Sequence, residues 1–272
     1  MKTYLINLDR SPERLARMDR IFRSLSLEYE RVPAVDGRSL AEAEIRRHNR
    51  VAREPLSAGE IGCFLSHRAA WVRVVEAGVP HAAVMEDDLH LCRAARSFLS
   101  SDEWIPADAD IVKVETNGRR IVVDRTEIGI GAGHSLTLLR GPHNGTGGYI
   151  ISLDCARRLI ERDAAMLMPV DKFLFNPQSP LFGSLRIYQI LPALCIQELI
   201  HNRARAQGFL ASQIAYGRKQ DKPRLSRWEK LKRETLRLKH QLRSWIAAHR
   251  LNIFSDRIKV RVAFGGNLER SQ

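Results

Sequence analysis

The sequence predicts an α/β protein with a mixed, mostly parallel sheet and helices on both faces. Two observations carry this. Short apolar runs alternate with helical patterns roughly a dozen residues apart, the rhythm of strand–helix–strand units. The run Ala82-Ala83-Val84-Met85 ends in Glu86-Asp87-Asp88, as a buried strand does when it delivers polar groups to its C-terminal edge. At 272 residues and 44% hydrophobic, the chain can bury a core of that kind.

The elements follow in order. Lys2 to Leu8 reads as a first strand. Ser11-Pro12-Glu13 opens a helix with an N-cap serine, a proline at the first helical position and an acid in the first turn. Leu15, Met18, Ile21, Phe22 and Leu25 continue it at helical spacing. Glu28 to Val35 is a second strand closed by Asp36-Gly37, and Leu40 to Arg53 is a polar helix. Ser57-Ala58-Gly59-Glu60 is a capping box for a helix that stops near Gly78-Val79-Pro80. After the strand ending at Glu86 come short strands at Ile111 to Val114, Ile121 to Val123 and Ser135 to Leu139. Gly147 to Ser152 is extended, Asp154 to Met168 is helical, and Ile187 to Leu191 closes the strand set.

Charge divides the chain into two parts. The whole carries +13. Gly217 to Val262 holds fifteen Lys/Arg and four Asp/Glu, so 15 − 4 = +11, and residues 1–216 are left with 13 − 11 = +2. Residues 1–216 therefore read as the body and 217–272 as a basic helical extension. In the extension, Leu225, Trp228, Leu231, Thr235, Leu238, Leu242 and Trp245 form one apolar stripe on a helix. Such a helix fits an anionic membrane surface, its own domain or a partner subunit, or nucleic acid. Tryptophans near both ends favour the membrane. A neutral body with few stacking aromatics in the tail counts against nucleic acid. The N-terminus lacks the long apolar run of a signal peptide, and Cys63, Cys92, Cys155 and Cys195 form no CxxC pair. Both fit a chain that stays in the cytoplasm.

Candidate chemistry begins at the acidic triplet. Alternate residues of an extended chain point the same way, so Glu86 and Asp88 can share one hard cation. A solvated acidic turn fits the triplet equally well. Asn7, Asp9 and Arg10, with Arg14 one turn into the next helix, make an anion-accepting corner. Without GxGxxG or a Walker lysine, neither a dinucleotide fold nor a P-loop is supported. Ser66 and His67 lie mid-helix, and His67 shares a face with Cys63 four residues earlier. Asn144-Gly145-Thr146-Gly147-Gly148-Tyr149 offers the open backbone an acceptor sugar needs, and a tight turn explains the same glycines. Asp171 is either a general base or the N-cap of Lys172 to Phe175. His201, with Gln197 and Glu198, supplies possible metal-shell groups.

Taken in order, several of these pieces resemble glycosyltransferase family 25. They are Tyr4-Leu5-Ile6-Asn7-Leu8-Asp9-Arg10, Val35-Asp36-Gly37, Gly59-Glu60-Ile61-Gly62-Cys63-Phe64-Leu65-Ser66-His67 with Trp71, and Val84-Met85-Glu86-Asp87-Asp88. Gly147-Gly148-Tyr149-Ile150-Ile151-Ser152 and Pro169-Val170-Asp171 continue the match. The resemblance implies a GT-A-type, Rossmann-like fold, a nucleotide-sugar donor, Mn2+ or Mg2+, and inversion at the anomeric carbon. By that analogy Glu86-Asp87-Asp88 stands for a DxD-type motif. Asp88 then falls to the metal and Glu86 to the metal or the ribose, beside the metal-shell candidate His201, whose region after Gln197 departs from the family pattern. Asn7, Asp9, Arg10, Ser66, His67 and Asp87 line the nucleotide sugar, Thr146, Gly147, Gly148 and Tyr149 the acceptor, and Asp171 is the base. The implied activity is transfer of a hexose, galactose from UDP-galactose, to a lipopolysaccharide or lipooligosaccharide core. The rival readings are an inactive sugar-nucleotide-binding scaffold of the same fold and a basic nucleic-acid-binding protein.

Overall fold

A computed structural model describes residues 1–52, 54–161, 168–201 and 256–265. Its first half places β1 (Lys2–Asn7), α1 (Pro12–Ser24), β2 (Glu30–Pro33), α2 (Glu42–Asn49), α3 (Ala58–Ala77), β3 (His81–Glu86), β4 (Leu89–Leu91) and α4 (Ala95–Ser100). Then follow β5 (Ile111–Lys113), β6 (Glu115–Thr116), β7 (Arg120–Asp124), β8 (Ile128–Gly131), β9 (His134–Leu138) and β10 (Gly148–Ser152). The chain continues with α5 (Leu153–Glu161), α6 (Val170–Phe175), β11 (Ile187–Leu191), β12 (Cys195–Gln197), α7 (Glu198–His201) and β13 (Arg257–Arg261).

The main sheet has eight strands in the order β2-β1-β3-β10-β5-β11-β9-β8. Strands β2, β1, β3, β5, β11 and β8 run one way, while β10 and β9 run against them. The α/β reading with a mostly parallel sheet holds, with β10 inserted antiparallel at its centre.

Alternation along the strands sorts the core into two layers. Tyr4, Ile6, Val84, Tyr149 and Ile151 face one side and pack with Phe64 and Trp71 of α3, Leu159 of α5 and Phe173 of α6. Leu5, Ala83, Met85, Val112 and Ile150 face the other and pack with Met18 and Phe22 of α1 and Phe98 and Leu99 of α4. The same alternation sends Glu86 toward α3 and Asp87 toward α1.

Helix α3 begins with both halves of the capping box. Ser57 Oγ accepts from the Glu60 amide at 3.2 Å, and the Glu60 carboxylate accepts from the Ser57 amide at 2.9 Å. Gly78 ends the helix at φ 62°, in the left-handed region that favours glycine. A Cβ on Gly62 would lie 2.6 Å from the Val35 carbonyl oxygen, so α3 presses backbone to backbone on the Val35–Gly37 turn. Ser11 occupies the N-cap position of α1, but its side chain makes no capping bond.

The strand set does not end at Leu191. β12 joins β4 and β6 in a three-stranded sheet, and β13 pairs antiparallel with β7. Residues 257–261, expected in the helical extension, are thus a strand of the body. The Val262 carbonyl accepts from Thr116 Oγ1 at 2.8 Å, and the His201 and Phe264 rings lie 5.5 Å apart. His201 and Phe264, on either side of residues 202–255 in sequence, are thus neighbours in the body. The predicted stripe from Leu225 to Trp245 lies outside the described residues. No helix among the described residues is long and apolar enough to cross a membrane.

Candidate active site

The C-terminal ends of β1 and β3 meet at one edge of the sheet, and the acidic triplet sits there. Burial pushes the Asp87 carboxyl up, against the pull of Arg14. Its two oxygens accept from Asn7 Nδ2 at 2.7 Å and Arg14 Nη1 at 2.8 Å. Asn7 is itself fixed: Nδ2 also donates to the Ser11 carbonyl at 3.1 Å, and Oδ1 accepts from Arg31 Nε at 3.0 Å.

Asp88 is 6% exposed. Its Oδ2 lies 3.5 Å from Arg14 Nη2, and its Oδ1 has no hydrogen-bond partner. Burial first, then the Glu86 charge, pushes its carboxyl up to about 8. A buried carboxylate with an unsatisfied oxygen is costly in isolation and suits a cation.

Glu86 is half-buried and better served. Its Oε1 accepts from Thr146 Oγ1 at 2.8 Å and lies 3.2 Å from His67 Nε2. Burial raises its carboxyl, but the His67 hydrogen bond and charge, Thr146 and Lys113 outweigh that and leave it below the usual range. Behind His67, Nδ1 is 3.0 Å from the Tyr149 hydroxyl, and Trp71 Nε1 donates to that hydroxyl at 2.8 Å. An ionised Glu86 carboxylate only accepts, so His67 Nε2–H donates to it, and in the neutral imidazole Nδ1 is then left to accept the Tyr149 proton. The chain Trp71–Tyr149–His67–Glu86 runs through the buried face of α3.

Asp171 lies in the first turn of α6, whose N-cap position is Pro169, so the capping alternative does not hold. Its Oδ2 accepts from the Gly145 amide at 3.2 Å and its Oδ1 from the Lys172 amide at 2.8 Å. Gly145 is held from its other side as well, since Lys113 Nζ donates to its carbonyl at 2.8 Å. Lys113 and Glu115 are both fully buried and pair at 2.5 Å. The Gly145–Thr146 segment therefore links Asp171, Glu86 and this buried pair.

Other predicted site residues serve different ends. Thr146, Gly147, Gly148 and Tyr149 are all buried, so they do not form an acceptor-facing surface. The glycines are needed because side chains fill the space beside them. A Cβ on Gly147 would lie 3.0 Å from Glu115 Oε1, and one on Gly148 would lie 2.4 Å from Cys195 Sγ. Ser66 ties α3 to the neighbouring turn, donating to the Gly62 carbonyl at 2.6 Å and accepting from the Val35 amide at 2.8 Å. Asp9 and Arg10 are exposed at the edge, Asp9 paired with Arg31 and Arg10 with Asp36 at 2.5 Å.

His201 does not join Glu86 and Asp88 in a compact ligand set. Its ring lies 4.5 Å from His90, which pairs with Glu198. Glu198 also takes Arg17 Nη2 at 2.8 Å. Among the described residues, the one group of three His, Cys, Asp or Glu side chains with ligand atoms all within 4.8 Å is Cys63, His67 and Glu86. Arg31, Arg17 and the Lys113–Glu115 pair escaped sequence reasoning. Only the alternation of Lys113 and Glu115 at a strand end hinted at a shared side.

The ordered pieces of the edge also match known proteins. A family model described as glycosyltransferase family 25 (LPS biosynthesis protein) matches residues 1–174. The chain belongs to this family. It is a glycosyltransferase by that membership. It is 32% identical over 225 residues to the lacto-N-neotetraose biosynthesis glycosyltransferase LgtB of Neisseria gonorrhoeae, covering 77% of this chain and 80% of that protein. It is 31% identical to LgtE of the same organism, over 81% of this chain and 82% of that one. The lipooligosaccharide biosynthesis protein lex-1 of Haemophilus influenzae is 29% identical, over 72% of this chain and 67% of its own.

Proposed function

We propose that this family 25 glycosyltransferase is a metal-dependent, inverting enzyme that moves galactose from UDP-galactose onto a lipooligosaccharide core. The observation that carries the reading is Asp88, a buried carboxylate with an unpartnered oxygen at the edge where the sheet presents Glu86 and Asp87. Asp88 and Glu86 fit a hard divalent cation, which uses few carboxylates and keeps positions for phosphate oxygens. Bound there, Mn2+ or Mg2+ would supply Lewis-acid neutralisation of charge on the diphosphate.

The protein's own groups do the rest. Arg14 and Asn7 fix Asp87 and so set the turn that aims Asp88. His67 orients Glu86. Asp171, steered by two amide donors, takes the proton of the acceptor hydroxyl as that oxygen attacks the anomeric carbon opposite the leaving diphosphate. Inversion needs one such base and no covalent intermediate. The relatives' names support the lipooligosaccharide acceptor.

The test is a thermal-shift panel of nucleotide sugars with and without Mn2+. A ligand that binds the native state raises its apparent stability. UDP-galactose with Mn2+ is expected to give the largest rise. No rise with any nucleotide sugar would overturn the reading. The charge of +11 over 217–262 supports a membrane-borne acceptor. Removing everything after 216 would also remove β13, so residues 217–250 are deleted internally. Flotation with anionic vesicles should fall in that variant, and unchanged flotation refutes the membrane role.

A further inference from the structure

We propose that Cys63, His67 and Glu86 form a second metal position, suited to a thiophilic divalent cation of the zinc class and separate from Asp88. Their ligand atoms, one sulfur, one nitrogen and one oxygen, all lie within 4.8 Å of one another. Cys63 and His67 stand one helical turn apart on α3, and Glu86 reaches them from the end of β3. His67 Nε2 and Glu86 Oε1 are 3.2 Å apart. Two ligands on one tetrahedral zinc ion stand about 3.3 Å apart, so this edge is already set.

The surroundings have the form of a second shell. Tyr149 and Trp71 fix the His67 ring from behind. Thr146 Oγ1 donates to Glu86 Oε1 at 2.8 Å. Outer groups of this kind hold metal-ligating imidazoles in one orientation. Three protein ligands leave a fourth position for water, the pattern of open zinc sites. Cys63 as a residue is half-buried.

Proton balance is simple. The Cys63 thiol gives its proton to solvent and the thiolate binds the ion. The single His67 proton moves from Nε2 to Nδ1 and is donated to the Tyr149 oxygen, freeing Nε2 for the ion. One proton is released per ion bound.

Softness separates the two positions. Thiolate and imidazole select zinc and cobalt over manganese and magnesium, whereas carboxylates with phosphate oxygens select the latter. Both positions use Glu86. On the metal-dependent reading above, zinc therefore withdraws Glu86 from the donor site and inhibits transfer.

Cobalt(II) is the probe, titrated into the metal-free full chain. The expected result is a thiolate-to-cobalt band in the near ultraviolet and slower alkylation of Cys63, mapped by mass spectrometry. Cys63→Ser should abolish the band, while Cys92→Ser and Asp88→Asn keep it. A wild type with no band and no protection of Cys63, or a band that survives Cys63→Ser, overturns the proposal. The alkylation arm needs no variant, so a poorly folding Cys63→Ser does not blunt it. Neither arm uses transfer activity, so a failure of the metal-dependent reading leaves this result readable. If the chain does transfer sugar, zinc inhibition should follow the optical titration.

Discussion

Glu86 with Asp88, and Lys113 with Glu115, are two pairs built the same way. In each, the two residues are two positions apart and the first ends a strand of the main sheet, Glu86 in β3 and Lys113 in β5. The second pair is of opposite charge and closes on itself at 2.5 Å. The first is of like charge; each pair leaves one oxygen unpartnered, Asp88 Oδ1 here and Glu115 Oε1 there, so the two differ in the sign of their charges. The difference teaches what each is for. A neutralised buried pair is structural, and here it grips the Gly145 carbonyl. A buried pair of one sign holds a proton, as the raised Asp88 carboxyl does, or takes a cation in its place.

Three variants sharpen or break this contrast. Asp88→Ala should have the largest effect: transfer drops by about 10^4-fold or more, because several kcal/mol of charge stabilisation go with the metal. The Mn2+-dependent thermal shift should vanish with it. Retained activity would mean that Asp88 holds no catalytic metal. Asp171→Asn should come next, with kcat down by about 10^3-fold and donor binding unchanged, as for a lost general base. Equal losses in donor affinity and kcat would place Asp171 in binding instead.

Lys113→Met should alter rate least, by within about 10^2-fold, through a misplaced Gly145–Thr146 segment. Its main effect is on stability. Leaving Glu115 buried alone costs about 3–5 kcal/mol in urea unfolding. Adding Glu115→Gln should recover part of that loss. A single variant within about 0.5 kcal/mol of wild type would show that the pair is not structural.

The strongly patterned elements were legible. The capping box and Gly78 bound α3, the apolar run marks β3, and β11 was found with the limits predicted. Strands β4, β6 and β12 were missed because runs of two or three residues carry no period, and partners distant in sequence create them. β13 was hidden by its basic surroundings. At the site, the sequence could show that Asp87, Asp88 and Glu86 arrive together, but not that they divide between Arg14, an open oxygen and His67. The glycines of 145–148 suggested access. Only the structure shows Glu115, Leu89 and Cys195 filling that space. The Tyr149–Trp71 bond joins residues 78 positions apart, and no local pattern announces it.

The return of the chain as β13 gives the basic segment two ends fixed to the body. Under the proposed membrane role, two nearby points of attachment constrain how the catalytic edge faces the surface, where a single point would let it swivel. The same closure makes the segment exchangeable. Its ends are already brought together, so each doubling of the length between His201 and Asp256 costs only about 0.6 kcal/mol. A change in the number of residues between His201 and Asp256 therefore leaves the sheet edge where the carboxylates stand undisturbed.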